Sequence, residues 1–368
     1  MMSTYTASAT LDFPDIWQEF QNITDLLCAH NMEHEPRKDA AFFSSPLGTA
    51  LLVPENGQLH IHVTANQPAS FNRLKHDLTI LIDFITQPKT IEFDWAGDAI
   101  GATYPPDLRI LDVLETAHPS PGIRRIRFRG ENLAQYAVPD QIHCRLMFPK
   151  THGKHSQAQW PKLDDNGKII WPEGGKLASR IYTIRKIDIL AGTLDIDFVI
   201  HKSPGPGISW AMAAQPGDSV GMLGPAGNGP KPASEYLLIG DETGLPGIAR
   251  ILEGLPTNAR GNALIEVSDK SEIQILNAPQ GFQIHWLCRN GDAPGTSTVL
   301  IEKLRILDLS AHSDTLFCWV GTEYTGFNDI RSYLRTEIGI PKSRLVAFAH
   351  WRRSMSEEDV IAAGSEKI

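Results

Sequence analysis

The chain has 368 residues, of which 42% are hydrophobic and 21% charged, a composition typical of a soluble globular protein with two or three domains. Its formal net charge of −9 argues against general binding of nucleic acid. No apolar run approaches the ~20 residues that a membrane-spanning helix needs, and the N-terminus lacks the basic and apolar regions of a signal peptide.

Residues 1–100 have the pattern of a small α+β domain. Apolar residues at helical spacing predict two amphipathic helices, and alternating apolar residues predict short strands. The predicted helices are 13–30 and 70–85, and the predicted strands are 49–53, 59–65 and a closing strand at 92–95. His60, His62 and His76 lack the paired ligands of a metal site, which favours structural or exposed roles.

A linker with Gly and Pro at 100–106 precedes a segment with another pattern. Between 108 and 230, short strands alternate with Gly and Pro turns, which is typical of an antiparallel barrel. The candidate strands are 110–116, 124–128, 141–148, 179–185, 193–201 and 219–223. Residues 152–175 are polar and irregular, and they predict a loop that is either a lid or an insertion without function.

One strand, Arg180-Ile181-Tyr182-Thr183-Ile184-Arg185, carries the most chemistry. Alternate side chains of a strand share a face, so Arg180 and Tyr182 point one way and Thr183 and Arg185 the other. Arginine pairs with pyrophosphate through forked hydrogen bonds, and tyrosine offers a ring face to a heterocycle. By itself the stretch is equally compatible with an amphipathic strand whose arginines are solvated.

A turn rich in Gly and Pro follows from His201 and leads into a helix start at Ser209 and Trp210. The N-terminus of a helix binds anions, because its N–H groups and its dipole face the ligand. This turn, with Gly205 and Gly207, favours the ligand-binding interpretation of the preceding strand. The densest basic run, 124–129, has instead the alternation of an exposed barrel face.

From residue 234 the pattern becomes one of buried parallel strands that alternate with helices. Such a sheet binds ligands at the carboxyl ends of its strands. Gly240, Gly244 and Gly247 occupy the position of a dinucleotide loop, although their spacing is not G-x-G-x-x-G. The predicted strands are 236–239, 262–267, 283–288 and 316–320, and the predicted helices are 246–255, 297–304 and 326–338.

These motifs, in this order, resemble the siderophore-interacting proteins, which are FAD-dependent ferric-siderophore reductases of the ferredoxin–NADP reductase superfamily. The resemblance covers roughly 108–353, including 240–250, 321–323 and 350–353. It departs from the family at His350, where Tyr is usual, and at Gly244, where Ala is usual. Residues 1–100 resemble a small domain of unknown function that occurs alone or fused to these proteins.

The resemblance implies three domains: an α+β domain at 1–100, an FAD-binding β-barrel at 108–230 and an α/β NAD(P)H domain at 234–353, with a tail to 368. It implies FAD and NAD(P)H as cofactors and a ferric siderophore as substrate. The residues that it implies for cofactor binding are Arg180, Tyr182, Thr183, Ile184, His201, Gly205, Gly207, Ser209, Trp210, Asp241, Glu242, Thr243 and Trp351. Lys270 and Arg185 are the candidates for contact with the anionic siderophore.

Several alternatives stay open at the level of sequence. Glu266 and Asp269 suit an unphosphorylated ribose, whereas Ser268 and Lys270 suit a 2′-phosphate, so NADH and NADPH are both compatible. Two alternatives to a ferric-siderophore reductase remain. One is a flavin reductase with another electron acceptor, and the other is a non-catalytic siderophore-binding protein. We expect no catalytic acid, nucleophile or resident metal, and a monomer without membrane insertion.

The four cysteines lie far apart and form no C-x-x-C motif. This usage is typical of free thiols and predicts a reducing, cytoplasmic location. An iron–sulfur cluster needs about four clustered thiolates, and the chain after Ser354 contains no cysteine. We therefore expect electrons to pass through flavin alone.

Overall fold

The computed structural model describes residues 3–30, 32–86, 91–150, 159–201, 205–227, 229–309, 315–356 and 359–360. In chain order its elements are β1 (Tyr5–Asp12), α1 (Ile16–Ala29), β2 (Glu33–Arg37), β3 (Ala40–Ser45), β4 (Gly48–Glu55), β5 (Gln58–Ala65), α2 (Pro68–Thr86), β6 (Ala96–Gly97), β7 (Arg109–Ser120), β8 (Ile123–Arg129), β9 (His143–Phe148), β10 (Lys162–Leu163), β11 (Ile169–Ile170), β12 (Ala178–Asp188), β13 (Thr193–Val199), α3 (Pro206–Ala213), β14 (Ser219–Ala226), β15 (Glu235–Gly240), α4 (Leu245–Gly254), β16 (Arg260–Val267), β17 (Gly281–Cys288), α5 (Val299–Ile306), β18 (Leu316–Glu323), α6 (Tyr324–Ser332) and β19 (Leu345–Trp351).

The chain divides into two units, of which the first comprises Met1–Leu108 and Gln159–Lys176 and the second Arg109–Ala158 and Leu177–Ile368. Residues 159–176 therefore fold with the first unit, a grouping that their polar, irregular composition did not indicate. The predicted domain boundaries stay predictions. No helix in the described part of the chain is long and apolar enough to cross a membrane.

In the first unit, two helices accompany a six-stranded sheet of order β2-β3-β4-β5-β1-β6. The core residues of α2 (Phe71, Leu74, Leu78 and Ile82) recur three or four positions apart, which places them on one helix face. The predicted α+β architecture and both helices are confirmed. The closing strand predicted at 92–95 is wrong: Phe93 and Trp95 are core side chains, and the short β6 begins only at Ala96.

The second unit begins with a closed barrel of strand order β12-β13-β8-β7-β14-β9. Its inward side chains form one apolar cluster, which α3 completes with Ile208, Trp210 and Ala211. The run of arginines on β8 is not simply solvated, because Arg125 and Arg127 form forked ion pairs with Asp197 and Asp195 on β13. The predicted antiparallel barrel is confirmed.

A five-stranded parallel sheet of order β17-β16-β15-β18-β19 follows in the same unit. The central strands β15 and β18 are buried on both faces, which explains their nearly continuous apolar sequences. On one face α4 packs Ile248 and Leu252 against the sheet, and on the other α5 and α6 pack Leu304 and Ile330. The strand order turns back between β15 and β18, where a doubly wound sheet opens the crevice that binds its ligand. The predicted α/β domain is confirmed.

Candidate functional site

The Arg-x-Tyr-Thr stretch lies on β12, paired with β9. Arg180 stands opposite Leu146, and Thr183 stands opposite His143. The Tyr182 ring packs against Phe198, with ring centroids 4.5 Å apart. The alternation predicted from the sequence therefore holds up to Thr183, which is buried, and it places Arg180 on the same face as Tyr182.

The helix start predicted at Ser209 is α3, which begins three residues earlier, at Pro206, and packs onto that face of β12. Gly205 is the N-cap residue and has an extended backbone, and Pro206 follows as the first helical residue. A Cβ added to Gly207 would lie 2.4 Å from the Tyr182 hydroxyl oxygen, so the close approach requires glycine. A Cβ at Gly205 would meet no atom of the described residues within 4 Å.

A second arginine, Arg145, lies near the start of β12 and was not predicted as a site residue. Arg145 on β9 donates from Nη1 to the Ser179 hydroxyl at 3.1 Å, and Arg180 donates from Nη1 to the Ser179 carbonyl at 2.7 Å. Both arginines thus bind Ser179, but Arg145, opposite Ile181, lies on the other face of the strand pair from Arg180 and Tyr182. α3 begins beside Tyr182. The forked cation of Arg180 and the N-terminal turn of α3 form a donor set that fits a dinucleotide pyrophosphate.

Other predicted residues near this turn occupy different environments. Trp210 is a core side chain whose ring lies 5.6 Å from that of Phe148, so only its backbone belongs to the helix start. His201 is exposed and follows β13. Ser209 lies in the first turn, where its N–H donates to the Gly205 carbonyl at 2.9 Å. Ile184 is buried in the barrel core.

Asp241 joins the carboxyl ends of three parallel strands. One carboxylate oxygen accepts from the Thr243 N–H at 2.8 Å and from the Thr243 hydroxyl at 2.6 Å. The other accepts from the Glu323 N–H at 3.0 Å and from Trp351 Nε1 at 2.9 Å. The structure therefore brings together Asp241, Thr243 and Trp351, which sequence comparison had grouped only through family resemblance.

The glycines of this loop allow two backbones to meet. A Cβ on Gly244 would lie 2.1 Å from the Gly321 carbonyl oxygen, and one on Gly240 would lie 2.9 Å from the same atom. Gly240 ends β15, Gly321 lies in β18, and α4 begins after Gly244. This close approach lies at the crevice where the strand order turns back. In this chain an alanine at position 244, the usual family residue, would require the Gly321 backbone to move away.

Glu242 and Glu266 share one buried cation. Arg289 donates to both oxygens of Glu242 at 2.9 and 2.7 Å and to Glu266 at 3.2 Å, and its side chain is 3% exposed. Burial raises the pKa of Glu266 to about 7, although Arg289 opposes the shift. Glu266, predicted as a partner for a ribose, is thus already bound within the protein. Arg289 was missed because no motif marks it.

Two histidines meet between the barrel and the parallel sheet. The ring centroids of His143 on β9 and His350 on β19 lie 5.5 Å apart. Nδ1 of His350 lies 3.2 Å from the Thr243 carbonyl oxygen, and neither Nε2 has a hydrogen-bond partner among the described residues. Burial lowers the pKa of His143 to about 3 and also lowers the pKa of His350, so both rings are neutral near neutrality.

The two candidates for substrate contact lie in different environments. Arg185 is nearly buried and donates two hydrogen bonds to Glu253 of α4. Contact with a substrate would require this ion pair to open. Lys270 is exposed on a short turn after β16, beside Asp269, whose carboxylate accepts from the Ser271 N–H. No group of three or more His, Cys, Asp or Glu side chains is placed to hold a metal ion within the described ranges.

The fold and the donor set define a flavin-type barrel joined to a dinucleotide-binding sheet, and two family models agree. The siderophore-interacting FAD-binding domain matches residues 112–229, and the siderophore-interacting protein model matches residues 233–354. The ferric vibriobactin reductase ViuB of Vibrio cholerae is 31% identical over 253 residues, which cover 68% of this chain and 91% of that protein. The chain belongs to the siderophore-interacting protein family.

Further relatives support the same assignment. An NADPH-dependent ferric-chelate reductase of Escherichia coli is 32% identical over 253 residues, covering 67% of this chain and 94% of that protein. The crystal structure of a siderophore utilization protein from T. fusca is 34% identical with a TM-score of 0.59, covering 70% of this chain and 96% of that one. The siderophore-interacting protein SipS from Aeromonas hydrophila is 29% identical with a TM-score of 0.59, covering 71% and 98%.

Proposed function

We propose that the protein is an FAD-dependent reductase that uses NAD(P)H to reduce ferric siderophores and so releases ferrous iron. The observation that carries the proposal is a pairing of two features in one family member. A glycine-rich helix start packs against Tyr182, on the strand that carries Arg180, and a parallel sheet has its crevice at Gly240–Gly244. Relatives that are named ferric reductases match both parts.

The barrel would hold FAD. The N–H groups of the first turn of α3, with Ser209 and Arg180, would bind its pyrophosphate. Tyr182 and Thr183 would line the flavin ring, and the exposed His201 would flank the turn. Ile184, whose side chain lies in the barrel core, would support this strand from within. FAD supplies, when bound, the redox chemistry that links a two-electron nicotinamide to a one-electron metal ion.

The crevice of the parallel sheet would hold NAD(P)H. Asp241 binds Thr243, Glu323 and Trp351, and so fixes the loop before a dinucleotide arrives. Backbone groups of Asp241, Glu242 and Thr243 would face the cofactor, because the Asp241 and Glu242 carboxylates are bound within the protein. A loop fixed in this way loses little conformational entropy when its ligand binds.

Iron is the substrate and not a resident metal. Each NAD(P)H reduces two ferric ions and yields NAD(P)⁺, two ferrous ions and one proton. Ferrous iron binds hard oxygen ligands more weakly than ferric iron, so reduction releases the metal. Lys270 would contact an anionic siderophore. Arg185 would do so only where its ion pair with Glu253 opens. We propose that the reaction takes place in the cytoplasm, in agreement with the four free cysteines. We propose that the protein acts as a monomer.

Flavin binding and reduction test the proposal. Purified protein, stripped and incubated with FAD, should take up one flavin per chain and turn yellow. The colour should bleach when NADH or NADPH is added without oxygen, and comparison of the two reveals the preferred donor. A protein that takes up no FAD, or whose flavin is not reduced by either nicotinamide, would refute the reductase assignment.

A further inference from the structure

An insertion in the barrel folds within the other unit of the chain. The segment 159–176 lies in sequence between the adjacent barrel strands β9 and β12, yet it belongs to the first unit. β12 begins at Ala178, opposite Phe148 at the end of β9. Arg180 follows two residues later. The first unit therefore binds a segment that joins directly to the strand on which the proposed FAD site is built.

Asn72 of α2 anchors the first half of this insertion. The residue is fully buried, and its side-chain amide donates to the carbonyls of Gly101 at 3.0 Å and Leu163 at 3.2 Å. It also donates to the Thr103 hydroxyl at 3.2 Å. Thr103 and Leu163 exchange two backbone hydrogen bonds, of 2.9 and 2.8 Å. A buried amide with this many acceptors holds one arrangement of the chain.

Lys75 and His76, on the same helix, hold the turn at 164–168. Lys75 is 1% exposed, lies over the Phe71 ring at 4.2 Å and donates to the Asp165 carbonyl. His76 Nδ1 lies 2.7 Å from the Gly167 carbonyl oxygen. A Cβ on Gly167 would lie 2.5 Å from the His76 nitrogen, so the turn approaches the helix as closely as glycine permits.

The Asp165 carboxylate completes the anchoring. It accepts from the Ile100 N–H at 2.7 Å and from the Gly101 N–H at 2.9 Å. Burying an amino group such as that of Lys75 costs free energy unless partners compensate it. Two buried polar side chains, Asn72 and Lys75, thus bind backbone carbonyls of the segment 163–165. A surface loop needs no such contacts.

We propose that Asn72, Lys75 and Asp165 are positioning residues for the flavin site, because they anchor the chain that enters β12. This inference rests on the proposed function. When a long flexible loop connects two paired strands, the ends of the strands can fray. A loop that is anchored to another part of the protein restrains those strand ends. Anchoring therefore orders the start of β12, where Arg180 and Ser179 lie. Stability of the first unit and affinity for FAD are coupled through the covalent junction between Lys176 and Leu177.

A tether variant tests the coupling without removing any contact. Insertion of Gly-Ser-Gly-Ser between Lys176 and Leu177 should weaken FAD binding to the stripped protein about fivefold to tenfold, as is typical of coupled sites. Hydrogen exchange at residues 179–183 should become faster even without FAD. The same insertion after Asp292, an exposed turn position of the second unit, is the matched control and should change neither quantity.

Further variants separate the possible outcomes. Asn72→Ala should weaken FAD binding in the same direction as the tether variant, and the two changes together should weaken it little more than one alone. Unchanged FAD affinity and unchanged exchange at residues 179–183 in the tether variant would overturn the inference. A native protein that binds no FAD would instead defeat the proposed function, while the exchange measurement would still test the anchoring.

Discussion

Arg185 of β12 and Glu253 of α4 form a forked ion pair, with nitrogen–oxygen distances of 2.9 and 2.7 Å. The Arg185 side chain is 10% exposed, so its charge is largely withdrawn from solvent. Nearby, Arg250 of α4 donates to the carbonyls of Ile184 at 3.0 Å and Tyr136 at 2.8 Å. Two arginines thus fasten the barrel to the helix that covers the parallel sheet.

Exchange of the two charges separates a structural role of Arg185 from a substrate-binding one. Arg185→Ala should lower the free energy of unfolding by about 1–3 kcal/mol, because Glu253 loses a partly buried charged partner. The double variant Arg185→Glu with Glu253→Arg should recover much of this loss in urea unfolding. If the double variant regains stability but its KM for ferric chelate stays raised, Arg185 also contacts the substrate.

Arg180→Ala should weaken FAD binding by about 10- to 100-fold, since a charged hydrogen bond to phosphate contributes roughly 1.5–3 kcal/mol. Fluorescence titration of the stripped protein measures the change. Arg129→Ala is the matched control, because Arg129 is an exposed arginine at the end of β8. Equal FAD affinity of the two variants would show that Arg180 does not bind the cofactor.

His143 should make the protein sensitive to acid. Its pKa is lowered to about 3 in the folded protein, against 6.5 in the unfolded chain, so folding releases a proton between these values. The contribution of this group to the free energy of unfolding should therefore fall by about 1.4 kcal/mol for each pH unit below 6.5. His143→Phe removes the titrating ring. Urea unfolding from pH 7 to pH 4 should show a shallower decline in the variant, and parallel curves would contradict the prediction.

Glu266 should act in the opposite direction. Its pKa is raised to about 7 when folded, against 4.5 when unfolded, so the folded protein binds the proton more tightly. The contribution of Glu266 is most favourable below pH 4.5 and declines as the pH rises to 7, by roughly 3 kcal/mol in all. Glu266→Gln should therefore gain stability relative to the native protein over this range. A difference in unfolding free energy that is independent of pH would show that Glu266 remains ionised throughout.

Much of the architecture could be predicted because it is encoded locally. Helical spacing in α2, turns between barrel strands and the change to buried strands after residue 234 each follow from a short stretch of sequence. The positions of Arg180 and Tyr182 on one strand face, and of the glycines at a helix start, could be predicted for the same reason. Their part in cofactor binding stays a prediction.

The residues that were missed depend on contacts between distant segments. His143 and Arg145 belong to no sequence motif. Their positions opposite Thr183 and Ile181 follow from the pairing of β9 with β12. Arg125 and Arg127 were taken for a solvated face, because only the register with β13 reveals Asp197 and Asp195 opposite them. The polar segment 159–176 gave no sign that Asn72, about ninety residues earlier, binds it in a buried network.

Reoxidation of the reduced flavin by ferric chelates is the most direct test of the proposed activity. Protein loaded with FAD and reduced with one equivalent of NAD(P)H would be mixed anaerobically with ferric catecholate, hydroxamate or citrate complexes and a ferrous-specific chelator. The account predicts that the oxidised flavin spectrum returns and that two ferrous ions appear for each NAD(P)H consumed. Reduced flavin that persists with every ferric chelate, yet is promptly oxidised by oxygen, would contradict it.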